Sequence, residues 1–282
     1  MRILVTGAGG MLGTDVRRAA ESADVEVVGW SRSELDVTDS QAVAQKLRRL
    51  APAVVINCAA WTDVDRAELD ERPAATVNGA GAGNVARAAA AIGAWTVHIS
   101  SDYVFDGSRS TPYLESDRPA PLSAYGRSKL AGERAVQSAA PDAHTVVRTS
   151  WLFGNGGRCF PRTILRLAAE RDVLTVVDDQ VGSPTFTGHL APALIELATA
   201  ARLEGTVHLS GGGECSWCEF AQAVVHAAQL NAEIKPGRTE DMERPAPRPP
   251  YSVLRSGRPE VPGLPQWREG IGEFLAAGVR AR

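Results

Sequence analysis

Short apolar runs alternate with longer amphipathic stretches over the first 150 residues of the chain. The apolar runs are typical of buried strands and lie at residues 3–6, 25–29, 53–57, 95–100 and 144–149. The longer stretches are typical of helices, which we place at residues 40–50, 74–92 and 122–140, with a further helix ending near residue 21. This alternation predicts an α/β fold with a doubly wound parallel sheet.

The pattern becomes less regular beyond residue 150. Helices are predicted at residues 160–171, 189–202, 216–229 and 266–279, and strands at residues 173–177 and 206–210. Residues 240–250 are rich in Pro and Arg, which predicts an irregular surface loop. We therefore predict a large domain at residues 1–150 and a smaller C-terminal α/β region at residues 151–282, with a chain that can cross between them.

The composition excludes several classes of protein. The chain has 282 residues, of which 44% are hydrophobic, and this is ample for a core. The formal net charge of −3 gives no reason to expect a nucleic-acid partner. No apolar run approaches the ~20 residues that a membrane helix needs, so no membrane partner is expected. The sequence opens directly on a strand with no signal peptide before it, and we therefore expect a cytoplasmic protein.

The four cysteines are Cys58, Cys159, Cys215 and Cys218. Cys215 and Cys218 have the spacing of a redox or metal motif. No second Cys-x-x-Cys or His-x-x-x-His in the sequence lies near them to complete a zinc site. We expect free thiols in a reducing compartment and no bound metal.

A glycine-rich loop follows the first predicted strand. Gly7, Gly10 and Gly13 lie between a strand and a helix, which is the context in which such a loop binds a dinucleotide. Glycine lets the backbone approach a pyrophosphate, and the helix N-terminus supplies N–H groups and a positive dipole. The spacing differs from the Gly-x-Gly-x-x-Gly of the common dehydrogenase fingerprint. The first domain is therefore predicted to be a Rossmann-like NAD(P)-binding domain, with Met11 and Leu12 also at the cofactor.

The end of the second predicted strand bears on the choice between NADPH and NADH. An acidic residue there would bond the ribose 2′-hydroxyl of NADH and repel the 2′-phosphate of NADPH. Ser31 and Arg32 stand there instead, and a hydroxyl with a guanidinium would accept the phosphate. The pair favours NADPH, with NADH also accepted, and the alternative is that Arg32 is a solvated loop residue.

Three polar residues form a candidate catalytic set. Tyr125 and Lys129 lie four residues apart in the helix predicted at 122–140, so their side chains share a face. A cation beside a Tyr favours the phenolate and lowers the pKa of the phenol toward the working range. Ser101 follows the fourth predicted strand, and ligands of doubly wound sheets bind beyond the carboxyl ends of strands.

The glycine loop with Thr6, Ser101 and the pair Tyr125 and Lys129 together resemble the extended short-chain dehydrogenase/reductase family. Further motifs narrow the resemblance to the dTDP-4-dehydrorhamnose reductases and extend it over essentially the whole chain. These motifs lie at residues 35–39, 57–65, 100–105, 125–133, 148–151, 178–185, 248–252 and 264–267.

The resemblance implies an oxidoreductase that uses NAD(P)H to reduce the C4 ketone of dTDP-4-dehydro-6-deoxy-L-mannose to dTDP-L-rhamnose. It implies that Tyr125 donates a proton to the developing alkoxide and that Ser101 steadies the carbonyl oxygen. Lys129 would hold the nicotinamide ribose and lower the pKa of Tyr125. The region at residues 151–282 would mainly bind the substrate.

The resemblance also implies further contacts. For the cofactor, the residues are Asp36 and Val37 at the adenine, and Ala59, Ala60 and Trp61 at the ribose and pyrophosphate. For the substrate, they are Asp102, Tyr103 and Trp151 by the sugar, and Arg248 at the diphosphate.

Three positions depart from the family pattern. The family usually has Thr at Ser101, Tyr or His at Trp61, and Asn at Cys159. Ser101 retains the hydroxyl of the usual Thr, so the catalytic chemistry is expected to be retained as well. The change at Cys159 lies next to the implied sugar site and leaves the sugar open, since related reductases make other dTDP sugars such as dTDP-dihydrostreptose.

Two other hypotheses stay open at this point. An NAD-dependent epimerase or dehydratase of the same superfamily usually carries an acid after the second strand, where Ser31 and Arg32 stand. A non-catalytic regulatory subunit is the other, because the β subunit of methionine adenosyltransferase resembles this reductase. The oligomeric state is also open, with a homodimer as one option.

Overall fold

The computed structural model describes residues 1–277, and its main feature is a parallel sheet flanked by helices. The strands are β1 (Arg2–Thr6), β2 (Glu26–Trp30), β3 (Val54–Asn57), β4 (Trp95–Ser101), β5 (His144–Thr149), β6 (Leu152–Phe153), β7 (Val173–Val177), β8 (Val181–Gly182), β9 (Thr185–Phe186), β10 (Gly205–His208), β11 (Cys215–Ser216) and β12 (Glu233–Gly237). The helices are α1 (Met11–Ser22), α2 (Ser40–Leu50), α3 (Val64–Leu69), α4 (Glu71–Ala74), α5 (Ala82–Ala90), α6 (Ala124–Ala139), α7 (Phe160–Glu170), α8 (Thr187–Glu196), α9 (Trp217–Ala227) and α10 (Trp267–Ala276).

Within residues 1–277 the central sheet has six parallel strands in the order β10-β5-β4-β3-β1-β2. The predicted doubly wound parallel sheet is therefore confirmed. β1 pairs with β2 on one side and with β3 on the other, so the strand order reverses at β1. Ligands of such sheets bind in the crevice at the carboxyl ends of the strands, where the order reverses. The register sets Thr6 level with Asn57 and Ser101 level with Thr149.

The apolar runs that predicted strands form the hydrophobic core. β3 is buried along its whole length, because side chains on both faces of a covered parallel sheet are removed from water. Apolar residues of β1, β3 and β4 pack with α1 and α8 into one cluster. A second cluster on the other face includes Leu4 and Val55 with α2 and α5.

The predicted helix at residues 74–92 is interrupted. A π-helical segment at Ala75–Gly81 separates α4 from α5. The wider turn of a π-segment cannot be read from apolar periodicity, and such segments are frequent at functional sites. This one carries Asn78, whose side chain reaches the candidate site.

The C-terminal region contains elements that the sequence pattern did not predict. β12 pairs in parallel with β7, and α7 and α9 pack beside this small sheet. Pro236 lies in β12, and a proline breaks the pattern of a central strand although an edge strand tolerates it. The short strands β6, β8, β9 and β11 and the helix α3 were also missed, because elements of two to six residues are too short for a periodic signal.

The ends of several other elements differ from the prediction. α6 begins at Ala124 rather than residue 122 because Ser123 caps it, its hydroxyl accepting a hydrogen bond from the Gly126 amide. α8 ends at Glu196 and continues as a π-helical turn at Leu197–Ala201. α10 ends at Ala276 with Ala277 as its C-cap, and positions 278 and 279 of the predicted helix lie outside the described residues. The Pro- and Arg-rich stretch at residues 240–250 is irregular, as predicted.

The chain crosses back to the large domain after residue 150. β10 pairs with β5, and α8 packs against α1. The division into residues 1–150 and 151–282 stays a prediction. Among the described helices, none is long and apolar enough to cross a membrane.

Candidate active site

A cleft of about 780 Å³ opens at the carboxyl ends of the central strands. Eighteen of the nineteen site residues that the sequence singled out line it: Gly7, Gly10, Met11, Leu12, Gly13, Ser31, Arg32, Asp36, Val37, Ala59, Ala60, Trp61, Ser101, Asp102, Tyr103, Tyr125, Lys129 and Trp151. The fold therefore brings the cofactor and catalytic predictions to one place.

The glycine loop fits the approach of a pyrophosphate. Gly7 has a φ of +66°, and a Cβ there would lie 2.6 Å from the backbone nitrogen of Ala59. A Cβ on Gly13 would collide with the carbonyl oxygen of Gly7. Gly10 is the N-cap of α1 and offers no side-chain hydrogen bond to the first amides of the helix. Those amides can bind an anion, so this loop suits the phosphates of a dinucleotide.

Two buried asparagines hold the loop that carries Ala59, Ala60 and Trp61. The amide oxygen of Asn57 accepts hydrogen bonds from the Thr6 hydroxyl at 2.6 Å and the Ala59 amide at 3.3 Å. The Asn78 side chain accepts from the Trp61 amide at 2.8 Å and donates to the Trp61 carbonyl at 3.0 Å. Asn78 was not predicted from the sequence. Its amide side chain, which stands within a run of Ala and Gly residues, was the feature that could have indicated it.

Ser31 and Arg32 line the cleft, but each faces a carboxylate. One carboxylate oxygen of Glu34 accepts from the Ser31 amide at 2.8 Å and from the Ser31 hydroxyl at 2.7 Å. Hydrogen bonds from Thr38 lower the pKa of Asp36, and the positive charge of Arg32 adds to that effect. Glu34 was overlooked because it lies three residues beyond the position at which an acid is usually sought.

Ser101 and Asp102 form a buried polar pair at the end of β4. The Ser101 hydroxyl donates to Oδ1 of Asp102 at 2.9 Å, and the Ser252 hydroxyl donates to Oδ2 at 2.7 Å. Burial raises the pKa of Asp102 to about 6, against the opposing effect of these hydrogen bonds. Ser252 belongs to the same stretch as Arg248, so this stretch supports the floor of the cleft rather than only its rim.

Burial raises the pKa of Tyr125 to about 12, although a hydrogen bond with Ser101 opposes the shift. The Lys129 ammonium donates to the carbonyl of Ile99 at 2.6 Å. Burial lowers the pKa of Lys129 to about 8, and Glu133 acts in the opposite direction. The pKa of Tyr125 is therefore raised in this structure and not lowered as expected, because desolvation of the phenol dominates.

Trp151 forms an aromatic wall with a residue that the sequence did not single out. Its ring stacks on Trp217 with centroids 3.5 Å apart and an angle of 5° between the planes. Trp151 has a φ of +45°, and a Cβ on Gly182 would collide with its indole. Trp217 lines the cleft and lies between Cys215 and Cys218. The aromatic residue within that motif was the feature that could have indicated a binding role.

Arg248 does not line the cleft itself, but its guanidinium lies close to Tyr103, which does. The contact of Arg248 with the diphosphate stays a prediction. The Arg248 guanidinium donates to both carboxylate oxygens of Asp65, at 2.8 and 2.7 Å. Such a bidentate pair is strong and geometrically specific. The cations that line the cleft within residues 1–277 are Arg32, Lys129 and Arg158.

Comparison with known proteins agrees with this geometry. The family model described as "RmlD substrate binding domain" matches residues 1–279. A dTDP-4-dehydrorhamnose reductase of Mycolicibacterium smegmatis is 43% identical over 286 residues, covering 99% of this chain and 86% of the relative.

The chain belongs to the dTDP-4-dehydrorhamnose reductase family.

Membership makes it an NAD(P)-dependent oxidoreductase, as the resemblance implied. A "probable dTDP-4,6-dihydroxy-2-methyloxan-3-one 4-ketoreductase" of Streptomyces antibioticus is 42% identical over 281 residues, covering 97% of this chain and 94% of the relative. The solved dTDP-4-dehydrorhamnose reductase of Bacillus anthracis in complex with NADP is 37% identical, with a TM-score of 0.94 and coverage of 98% and 99% of the two chains.

Cys159 is buried in the C-terminal core and does not lie on the cleft wall, although the sequence placed it next to the sugar. Its thiol contacts the carbonyl of Gly154 at 3.6 Å, and it precedes α7. Cys215 and Cys218 are buried free thiols in the same core. Burial raises the pKa of both, which favours the neutral thiol.

Proposed function

We propose that this reductase catalyses the NADPH-dependent reduction of the C4 ketone of dTDP-4-dehydro-6-deoxy-L-mannose to dTDP-L-rhamnose. The observation that carries the proposal is the meeting of Ser101, Tyr125 and Lys129 with the glycine loop in one cleft. Relatives named dTDP-4-dehydrorhamnose reductase at 41% to 43% identity over nearly the full chain support the substrate.

The cofactor supplies the hydride when it is bound. Gly7, Gly10 and Gly13 and the first amides of α1 would hold its pyrophosphate, and the loop from Ala59 to Trp61 would lie along its ribose. Lys129, placed by its bond to the Ile99 carbonyl, would hold the nicotinamide ribose.

Tyr125 is the proton donor in this proposal. Reduction builds negative charge on the ketone oxygen, and a donor within hydrogen-bond reach lowers that barrier. A pKa of about 12 keeps the phenol protonated at neutral pH, so Tyr125 Oη has a proton to give to the alkoxide. Ser101 donates to the same oxygen and fixes its position, which requires its hydroxyl to turn away from Asp102.

Arg158 takes the role that the resemblance assigned to Arg248 at the diphosphate of the substrate. The pyrophosphate of the cofactor already has the glycine loop and the N-terminus of α1. Arg32 lies at the adenosine end, and Lys129 is bonded to a carbonyl. Arg158 is exposed on the wall and can turn toward the substrate.

The second candidate is a reductase for another dTDP-4-keto sugar. The ketoreductase of Streptomyces antibioticus, named for a different sugar, is 42% identical, which is close to the 43% of the Mycolicibacterium smegmatis relative. Identity alone therefore does not separate the two substrates.

The experiment is an assay of NADPH oxidation with the purified chain across a panel of dTDP-4-keto sugars. The proposal expects the highest kcat/KM for dTDP-4-dehydro-6-deoxy-L-mannose. A higher value for another sugar would favour the second candidate, and equal turnover of UDP- or GDP-keto sugars would contradict the dTDP assignment. Sedimentation and fractionation would test the homodimer and the cytoplasmic location, which stay predictions.

A further inference from the structure

The stretch after β2 contains an acid that competes for the donors expected to recognise NADPH. Ser31 presents an amide and a hydroxyl toward the cofactor cleft, and both donate to the same oxygen of Glu34, at 2.8 and 2.7 Å. The hydroxyl also lies 2.9 Å from the Ser33 hydroxyl. A 2′-phosphate placed at Ser31 would have to take over donors that already hold a carboxylate.

The charge of this carboxylate is retained at neutral pH. The Ser31 amide and hydroxyl lower the pKa of Glu34, and the positive charges of Lys46 and Arg17 contribute less. Glu34 is exposed, so a phosphate can displace it into water instead of being excluded outright. The competition is therefore graded, and it sets a preference between two cofactors without forbidding either.

A second acid lies near the guanidinium at the same site. Arg32 lies near Asp36, whose carboxylate is fixed by the Thr38 amide at 2.9 Å and the Thr38 hydroxyl at 2.8 Å. A phosphate bound at Arg32 would still be repelled by the carboxylates of Glu34 and Asp36. The 2′-hydroxyl of NADH differs from the phosphate, because it can donate a hydrogen bond to a carboxylate.

We propose that Glu34 sets the selectivity of this reductase between NADPH and NADH, because its carboxylate occupies the Ser31 donors that a 2′-phosphate would use. The inference rests on the proposed use of a nicotinamide cofactor. NADPH binds by displacing the Glu34 carboxylate, whereas NADH can bind with that carboxylate in place and bonded to its 2′-hydroxyl. Glu34 therefore reduces the NADPH preference that Ser31 and Arg32 would otherwise give.

The deciding variant is Glu34→Gln. Its amide oxygen can still accept from the Ser31 amide, so the turn after β2 is kept while the charge is removed. We expect the Kd for NADPH to fall roughly three- to tenfold, the scale on which one exposed charge changes the affinity for an anion. The Kd for NADH should stay within about twofold, since a neutral acceptor for the 2′-hydroxyl remains. Fluorescence titration of the reduced nucleotides measures both constants without turnover.

Two further variants and two probes make the test specific. Glu21→Gln is the matched control, because it removes the same charge from an exposed position at the end of α1 and should leave both constants unchanged. Arg32→Ala should act in the opposite direction and weaken NADPH alone. Calorimetry with 2′,5′-ADP and with 5′-ADP isolates the 2′-phosphate, and Glu34→Gln should tighten only 2′,5′-ADP.

The outcomes separate this inference from the proposed function. Equal changes in the NADPH and NADH constants of Glu34→Gln would mean that Glu34 acts only on the fold of the turn, and the inference would be wrong. No change in either constant would overturn it as well. In both cases a wild-type chain that binds NADPH leaves the proposed function intact. A wild-type chain that binds neither nucleotide overturns both.

Discussion

The carboxylate of Glu133 accepts two hydrogen bonds from the guanidinium of Arg148, at 2.9 and 2.7 Å, one helical turn beyond Lys129. The side chains are only 3% and 5% exposed, so the pair lies in the interior beneath the candidate active site. The Ser100 hydroxyl donates to Glu133 at 2.5 Å, and the third guanidinium nitrogen of Arg148 lies 3.5 Å from His208. This network connects α6, which carries Tyr125 and Lys129, with β4, β5 and β10.

Glu133→Gln should destabilise the protein strongly. Removing one partner of a buried ion pair leaves the other charge uncompensated, which costs about 3–5 kcal/mol. Chemical denaturation monitored by circular dichroism would measure the loss. The control is Glu170→Gln in the exposed pair with Arg166, which should cost less than about 1 kcal/mol. Similar losses in the two variants would show that burial does not decide the strength of the pair.

Activity should fall as the pH rises above about 8. Lys129 has a pKa of about 8. It is the proposed charged partner of the ribose, so its deprotonation would remove that contact. Tyr125, with a pKa of about 12, stays protonated over the same range. The profile of log kcat/KM should decline with a slope near −1. In Glu133→Gln the decline should begin at lower pH, because Glu133 raises the pKa of Lys129; an unshifted profile would argue against this assignment.

Tyr125→Phe should lower kcat by at least ~10², about 2.7 kcal/mol in the barrier. The change removes only the hydroxyl, so the fold and the Kd for NADPH should persist. Ser101→Ala should cost less, since the ketone oxygen would keep its hydrogen bond from Tyr125. Stopped-flow measurement of NADPH oxidation at saturating cofactor gives the rates. A Phe variant with normal NADPH affinity and a near wild-type rate would refute the Ser–Tyr–Lys mechanism.

Arg158→Ala and Arg248→Ala should separate substrate binding from structure. Arg158 is exposed on the cleft wall, so its loss should raise the KM for the dTDP sugar about tenfold, or ~1.4 kcal/mol, and leave stability unchanged. Arg248 is bonded to Asp65, so its loss should lower the melting temperature with a smaller change in KM. Steady-state kinetics with thermal unfolding checks both. The reverse pattern would return the diphosphate contact to Arg248.

The double replacement of Cys215 and Cys218 by Ser should leave activity within about tenfold, ~1.4 kcal/mol in the barrier, with and without reductant. Both thiols are buried, and their raised pKa values disfavour the reactive thiolate. Replacement by Ala is the companion variant, because it keeps an apolar core. A larger loss in both double variants would show that the motif has a chemical role.

The sequence by itself determined the central sheet and most of the candidate cleft. Buried parallel strands are continuous apolar runs, and loops that must approach a pyrophosphate need glycine. Both features can therefore be predicted from short segments of the sequence. The alternation gave the doubly wound sheet, and the Tyr125–Lys129 spacing placed two side chains on one helical face. The family motifs located the remaining cleft residues. Each of these signals lies within a short span of chain.

Tertiary structure decided the partners and therefore the electrostatics. Only folding brings Asp65 to Arg248 across 183 positions. Only folding shows that desolvation of Tyr125 outweighs its hydrogen bond with Ser101 and raises the pKa of the phenol. The Glu34 carboxylate lies three residues from Ser31, yet its contact depends on the turn geometry after β2. Charges act through distance and burial, and the order of residues fixes neither.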